Sequence, residues 1–160
     1  SDTEERWRAI QATAASLGLE IRPELTLQLS DESSGETFSV EEGYPEGYAY
    51  GQMLLDHGHD FTALFAFNDV SALGAIRAFL DAGLRIPEDV SVMGFDDIKS
   101  AAFTNPRLTT VRQPMREMGE TAARILLRRL GGESTMDGVF VTVGPELMIR
   151  DSTGPAPRRR

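Results

Sequence analysis

The sequence predicts an α/β fold, a parallel sheet flanked by helices. Three observations predict it. Helical and strand-like patterns alternate along the chain in the order α-β-α-β-α-β-α-β-α-β-β. Two continuous apolar runs, residues 63–67 and 90–95, have the composition of strands covered on both faces. Both runs end in polar pairs, Asn68-Asp69 and Asp96-Asp97. Those pairs fall at the carboxyl edge, where ligands of such sheets sit. Right-handed crossovers then join the strands.

Each element has its own warrant. Ser1-Asp2-Thr3-Glu4 has the form of a capping box. Trp7, Ile10, Ala14 and Leu17 recur at helical spacing, and Gly18 supplies the stop. Residues 25–29 read as a short strand, and residues 30–42 as a polar loop. Residues 44–58 carry a helical pattern with Tyr48, Gly51, Leu55 and Gly58 on or near one face. Asp69 is placed to cap a helix over 70–82, which Gly83 closes. After the strand at 90–95, a short helical piece precedes Asn105-Pro106. Residues 108–113 read as a strand. Pro114 opens a helix with Met118, Ala122, Ile125, Leu126 and Arg129 at sensible spacing, ending at Gly131-Gly132. Residues 139–143 and 147–150 read as short strands, and 154–160 as a disordered Pro- and Arg-rich tail. The chain opens on a helix, so a strand is expected ahead of Ser1.

Composition narrows the function. Of 160 residues, 41% are hydrophobic and 26% charged, enough apolar material for one core. No apolar run approaches the roughly 20 residues of a spanning helix. Cysteine is absent, which removes disulfides, thiolate metal sites and a cysteine nucleophile. His57 and His59 are the two histidines, flanking Gly58, so neither a metal nor a cofactor is expected. The net charge of −9 makes an acidic body that repels phosphate backbones.

Several residues are candidates for chemistry, and each has a plainer alternative. Asn68 offers donor and acceptor to a polyol or base, or caps the next helix. Asp69 reads first as a cap. Asp96 and Asp97 could be the acid and base of a hydrolase. Adjacent strand residues point to opposite faces, however, so a single aspartate receiving hydroxyl hydrogen bonds fits better. Arg6 carries a fork of donors, or is a solvated surface arginine. Phe38, in a polar loop, is either a lid stacking on a sugar or an anchor under the loop. There is no glycine-rich phosphate loop, nucleophile elbow or zinc-ligand helix, so no catalytic residues are expected.

Six stretches together resemble the effector-binding domain of the LacI/GalR family of bacterial transcription regulators. Arg6-Trp7-Arg8-Ala9-Ile10 resembles the family's R-x-x-G-[FYW], with Ala9 in place of the glycine. Phe38-Ser39-Val40-Glu41-Glu42-Gly43-Tyr44 is similar to its aromatic–Ser loop. Phe67-Asn68-Asp69-Val70-Ser71-Ala72-Leu73-Gly74-Ala75 resembles F-x-N-D-x-x-A-x-G-x, with Phe67 directly before Asn68 where the pattern has one residue between them. Pro87-Glu88-Asp89-Val90-Ser91-Val92-Met93-Gly94-Phe95-Asp96-Asp97 matches P-x-D-[IV]-S-V-x-G-[FY]-D-[DN]. Pro106 to Gln113 follows P-x-L-T-T-V-x-Q, and Leu147 to Thr153 resembles L-x-x-R-x-S-T.

The resemblance implies a periplasmic-binding-protein-like (type I) fold of two lobes with an effector cleft between them. Residues 1–111 would form the C-terminal lobe, 112–142 would cross to the N-terminal lobe, and 143–153 would return. By resemblance, Arg6, Asn68 and Asp96 contact the effector and Phe38 stacks on it. Gln113 sits at the crossover near the ligand, and Asp2 occupies a further contact position. Ala72, Ala75, Ile76, Phe79 and Phe103 match the dimer interface. The function implied is sugar binding by an allosteric repressor in the bacterial cytoplasm, acting as a homodimer. DNA contact would fall to an upstream helix-turn-helix head. A secreted sugar-binding receptor of a transporter shares the fold and is the alternative.

Overall fold

A computed structural model of the protein describes residues 2–27, 40–58, 60–132 and 141–157. Among them are the helices α1 (Asp2–Ser16), α2 (Val40–Asp56), α3 (Asp69–Asp81) and α4 (Met115–Leu130). The strands are β1 (Ala63–Phe65), β2 (Ser91–Met93), β3 (Thr110–Arg112) and β4 (Glu146–Met148). Short 3-10 turns span Pro23–Leu25 and Lys99–Ala102.

β1 and β2 pair in parallel, with Ala63 opposite Ser91 and Phe65 opposite Met93. Their ladder runs past the named strands: Ala66 N–H donates to Met93 O at 2.8 Å and Asp69 N–H to Phe95 O at 2.9 Å. On the other side of β2, Gly94 N–H reaches Thr109 O at 3.0 Å and Asp96 N–H reaches Val111 O at 2.9 Å. The chain entering β3 is therefore a third parallel neighbour. β3 then pairs antiparallel with β4, a departure from the all-parallel expectation.

The core gathers on α3. Its Val70, Ala72, Leu73, Ala75, Ile76, Ala78 and Phe79 are all buried. Leu54 from α2 and Val92 from β2 join the same cluster, with Val90 and Leu108 beside them. Burial of each large apolar side chain is worth about 1.5–3 kcal/mol, so this helix is the main holdfast of the fold. Glycine lets α2 and α3 meet backbone to backbone. A methyl group at Gly74 would fall on the Tyr44 carbonyl and Tyr48 amide, and one at Gly47 on the Ser71 carbonyl. Gly18 (φ 66°) and Gly83 (φ 82°) end α1 and α3 as expected. Leu19 N–H there reaches back to Ala14 O at 2.9 Å, and Leu84 N–H to Phe79 O at 3.0 Å.

Four expectations change. Residues 23–25 form a turn rather than opening a strand, because Pro23 lacks a ladder donor. Residues 28–39 lie outside the described residues. α2 starts at Val40, four residues before the expected Tyr44, and Pro45 lies inside it. β1 is not covered on both faces: Leu64 packs on the core while Phe65, on the other side of the pleat, is 41% exposed. Residues 141–143 are irregular, and 139–140 lie outside the described residues. At the chain's end Gly154 N–H donates to Ser91 Oγ at 3.1 Å.

Candidate functional site

The parallel ladder sets Phe67-Asn68-Asp69 beside Phe95-Asp96-Asp97 at the carboxyl edge of the sheet. α1 delivers Arg6 to the same edge. Arg6 Nη1 donates to the Phe67 carbonyl at 3.1 Å. Its guanidinium carbon lies 4.7 Å from the Phe67 ring centroid and 4.4 Å from that of Phe95. Two aromatic rings thus hold the cation in place. Asn68 caps α3, its Oδ1 accepting from Ser71 N–H at 2.8 Å. The cap therefore belongs to Asn68 and not, as the sequence suggested, to Asp69. It engages only the acceptor end of the amide, and the Nδ2 donors suit a ligand oxygen.

Asp96 and Asp97 stand in a turn with positive φ angles of 110° and 55°. The first is a sparsely populated conformation costing about 1–3 kcal/mol, sustained by the surrounding bonds. Asp96 Oδ1 accepts from Gln113 Nε2 at 2.6 Å. That hydrogen bond joins the end of the sheet to the residue where the chain leaves β3 for α4. Asp97 has different partners. Arg112 Nε donates to its Oδ2 at 2.7 Å and Arg150 Nη2 to its Oδ1 at 2.6 Å. Burial pushes the Asp97 carboxyl up, but the guanidiniums of Arg150 and Arg112 outweigh it and hold it below the usual carboxylate range. With both oxygens of Asp97 engaged, the neighbouring aspartates do not form an acid–base couple.

The sheet edge thus brings together Arg6, Asn68, Asp96 and Gln113. An open hollow of about 510 Å³ beside them is lined by Asp96, Asp97, Arg112, Gln113 and the first turns of α4. Arg6 and Asn68 are not among the residues that line it. Phe38 lies outside the described residues, as does the side chain of Asp2. Among the described residues no cluster of acidic or histidine side chains is arranged to hold a metal ion. His57 is exposed and bonded to the Met53 carbonyl at 2.7 Å, and His59 is not among the described residues.

The proposed dimer face needs correction. Ala72 and Phe79 are 0% exposed, Ala75 4% and Ile76 5%. They form the core beneath α2 and have no surface to offer a second copy. Phe103, 87% exposed, does.

Other residues that hold the site were missed. Asp69 is fully buried and bonds Ile98 N–H and the Thr110 hydroxyl. Arg150, besides Asp97, donates through Nη1 to Leu108 O at 2.9 Å. Ser152, also fully buried, donates to Val92 O at 2.6 Å and accepts from Thr109 N–H at 2.8 Å. Asp69 read only as a cap, and the signal for Arg150 and Ser152 was their place in the L-x-x-R-x-S-T stretch, which gave them no role.

In sheets of this kind, the edge where parallel strands end in polar groups is the usual place for a small ligand. The sequence profile described as a periplasmic binding protein-like domain matches residues 1–153, and the chain belongs to that family. It is 50% identical over 114 residues to the HTH-type transcriptional regulator MalR of Streptomyces coelicolor, across 71% of this chain and 32% of that one. Among solved structures, the transcriptional regulator CelR–cellobiose complex superposes with a TM-score of 0.78 at 34% identity, over 92% of this chain and 42% of that one. A LacI-family regulator from Sanguibacter keddieii gives 0.80 at 28% identity, over 94% and 52%. These likenesses bear out the resemblance to LacI/GalR regulators and the fold it implied. The chain spans about a third of the curated relative's length.

Proposed function

We propose that this chain is the effector-binding part of a LacI/GalR-type repressor and that its effector is a carbohydrate. The observation that carries this is the gathering of Arg6, Asn68, Asp96 and Gln113 at one sheet edge. A guanidinium, two amides and a carboxylate match the mixed donors and acceptors of sugar hydroxyls. The cellobiose bound to the CelR relative favours the same class. The chain leaving β3, with α4, crosses into a second lobe, and Gln113 stands at the crossing. Support comes from α4, none of whose described residues is buried. Effector binding shifts the balance between two lobe arrangements, because the ligand meets them with unequal affinity. The acidic body leaves DNA contact to a helix-turn-helix head elsewhere in the regulator, which acts in the cytoplasm as a homodimer. The transporter-receptor alternative would use the same edge, but the relatives described above are named transcriptional regulators.

Isothermal titration of the full-length regulator with cellobiose, sucrose, ribose and, as a purine control, adenine tests the reading. One saccharide should bind. Asp96→Asn and Gln113→Ala should each weaken it about tenfold or more, the scale of one charge-assisted hydrogen bond. Unchanged affinity in a folded Asp96→Asn variant removes Asp96 from the site. Binding of adenine alone moves the effector to another class.

A further inference from the structure

Asp69 is a buried carboxylate outside the set proposed to touch the effector. Its Oδ2 accepts from Ile98 N–H at 2.8 Å, and its Oδ1 accepts from the Thr110 hydroxyl at 2.5 Å. Thr110 is itself fully buried, and its oxygen accepts from Asp97 N–H at 3.4 Å. The amides of residues 97 and 98 are therefore both anchored to one carboxylate, the first through Thr110 and the second directly. Those amides close the positive-φ turn that presents Asp96. Gly94 makes the reach possible, because a methyl group there would land on Asp69 Oδ1. The strand forgoes a side chain at the point where the carboxylate crosses it. Burial pushes the Asp69 carboxyl up, while the Thr110 and Ile98 hydrogen bonds pull it back.

We propose that Asp69 is a positioning residue: through Ile98 and Thr110 it holds the 96–98 turn and the start of β3 in the arrangement that sets Asp96 against Gln113. Its consequence for ligand affinity rests on the effector reading above, while its consequence for the turn does not. Asp69 touches no effector. It replaces the local hydrogen bonds that a turn with two positive-φ aspartates lacks. The hydroxyl of Thr110 is essential to this role because it donates and accepts at once, which no apolar isostere does.

The test compares Thr110→Val, which keeps the volume and removes the hydroxyl, with Thr110→Ser, which keeps the hydroxyl. Asp69→Ala removes both acceptors. Val90→Ala, a core truncation elsewhere, controls for lost stability. Backbone hydrogen exchange is followed by mass spectrometry over residues 94–99 and 109–114 of the free protein. Thr110→Val and Asp69→Ala should exchange there about tenfold faster than Val90→Ala, with Thr110→Ser within about twofold of the parent. If Thr110→Val exchanges no faster than Val90→Ala, the proposal is overturned. It is equally overturned if Thr110→Ser behaves as Thr110→Val. Should Asp69→Ala fail to fold, the two Thr110 variants decide by themselves. In a second arm, the variants are titrated with cellobiose, sucrose or ribose, whichever the parent binds. Thr110→Val should lose about tenfold in affinity and Thr110→Ser should recover it. If the parent binds none of the three, the carbohydrate reading fails, and the exchange arm still decides the role of Asp69.

Discussion

Asp97 adjoins Asp96 in the chain, yet the two carboxylates have unlike surroundings. The side chain of Asp97 is 8% exposed and held between Arg150, 11% exposed, and Arg112, 45% exposed. Asp97→Asn removes one side of both pairs and leaves Arg150 nearly buried without its anion. The expected loss is about 3 kcal/mol, at the low end for a broken buried pair because Arg112 remains solvated. The pH dependence follows from the direction of the shift. The folded pKa of Asp97 lies below its unfolded value near 4, so its stabilisation is present above about pH 4. It is lost as pH falls through the folded value. Asp69 is shifted the other way, so its contribution is present below about pH 4 and is lost as pH rises through its folded value. Melting temperatures from about pH 3 to pH 7 should show a shallower acid limb in Asp97→Asn than in the parent. An unchanged limb would mean that Asp97 does not titrate between its arginines. At this scale, Asn68 and Asp96 were legible as candidates because they end apolar runs, and Arg6 and Gln113 through motif resemblance. Asp69 was legible only as a helix cap. Its partners lie 29 and 41 residues away, and Arg150 lies 53 residues from Asp97, so no local pattern reports them.

Among the elements, helices were the more readable. The glycine stops after α1 and α3 depend on a local property, the freedom of glycine to adopt positive φ. The same residue type has opposite roles elsewhere. Gly74 is packed against the backbone of α2, while Gly119 in α4 has open space around it. Gly74→Ala should cost at least about 1–3 kcal/mol through overpacking, since the obstruction is backbone and cannot turn aside. In this 160-residue chain Gly119→Ala should stabilise by up to about 1 kcal/mol, because the helix gains propensity and meets nothing there. Chemical denaturation of the two variants measures both signs at once. A stable Gly74→Ala protein would mean that α2 and α3 do not cross so closely. Strands were read less well. Their three-residue ladders are short, and whether an apolar run is buried on one face or two depends on what the rest of the chain lays over it. Phe65 and Phe67 show this, at 41% and 37% exposed in one run that read as fully covered.

For the whole molecule, surface and core trade places with expectation at α3. Small and apolar residues on one helix face suit a twin or a core equally well, and here the core took Ala72, Ala75, Ile76 and Phe79. Phe103 remains outside. In the full-length regulator, Phe103→Asp should weaken the proposed homodimer by about tenfold or more in sedimentation velocity, as expected of a buried aromatic anchor. A dimer of unchanged affinity places the interface elsewhere. The sequence by itself determined the fold class, the order of most elements, the glycine stops and the polar pairs that close two strands. These follow from periodicity, backbone freedom and strand-end composition, all of which act within a few residues. Only the tertiary structure decided that Asn68 rather than Asp69 caps α3, that Asp97 is spent on two arginines, and that the α3 stripe is core. Each of those outcomes depends on which distant groups arrive at the same place, and long-range packing settles that.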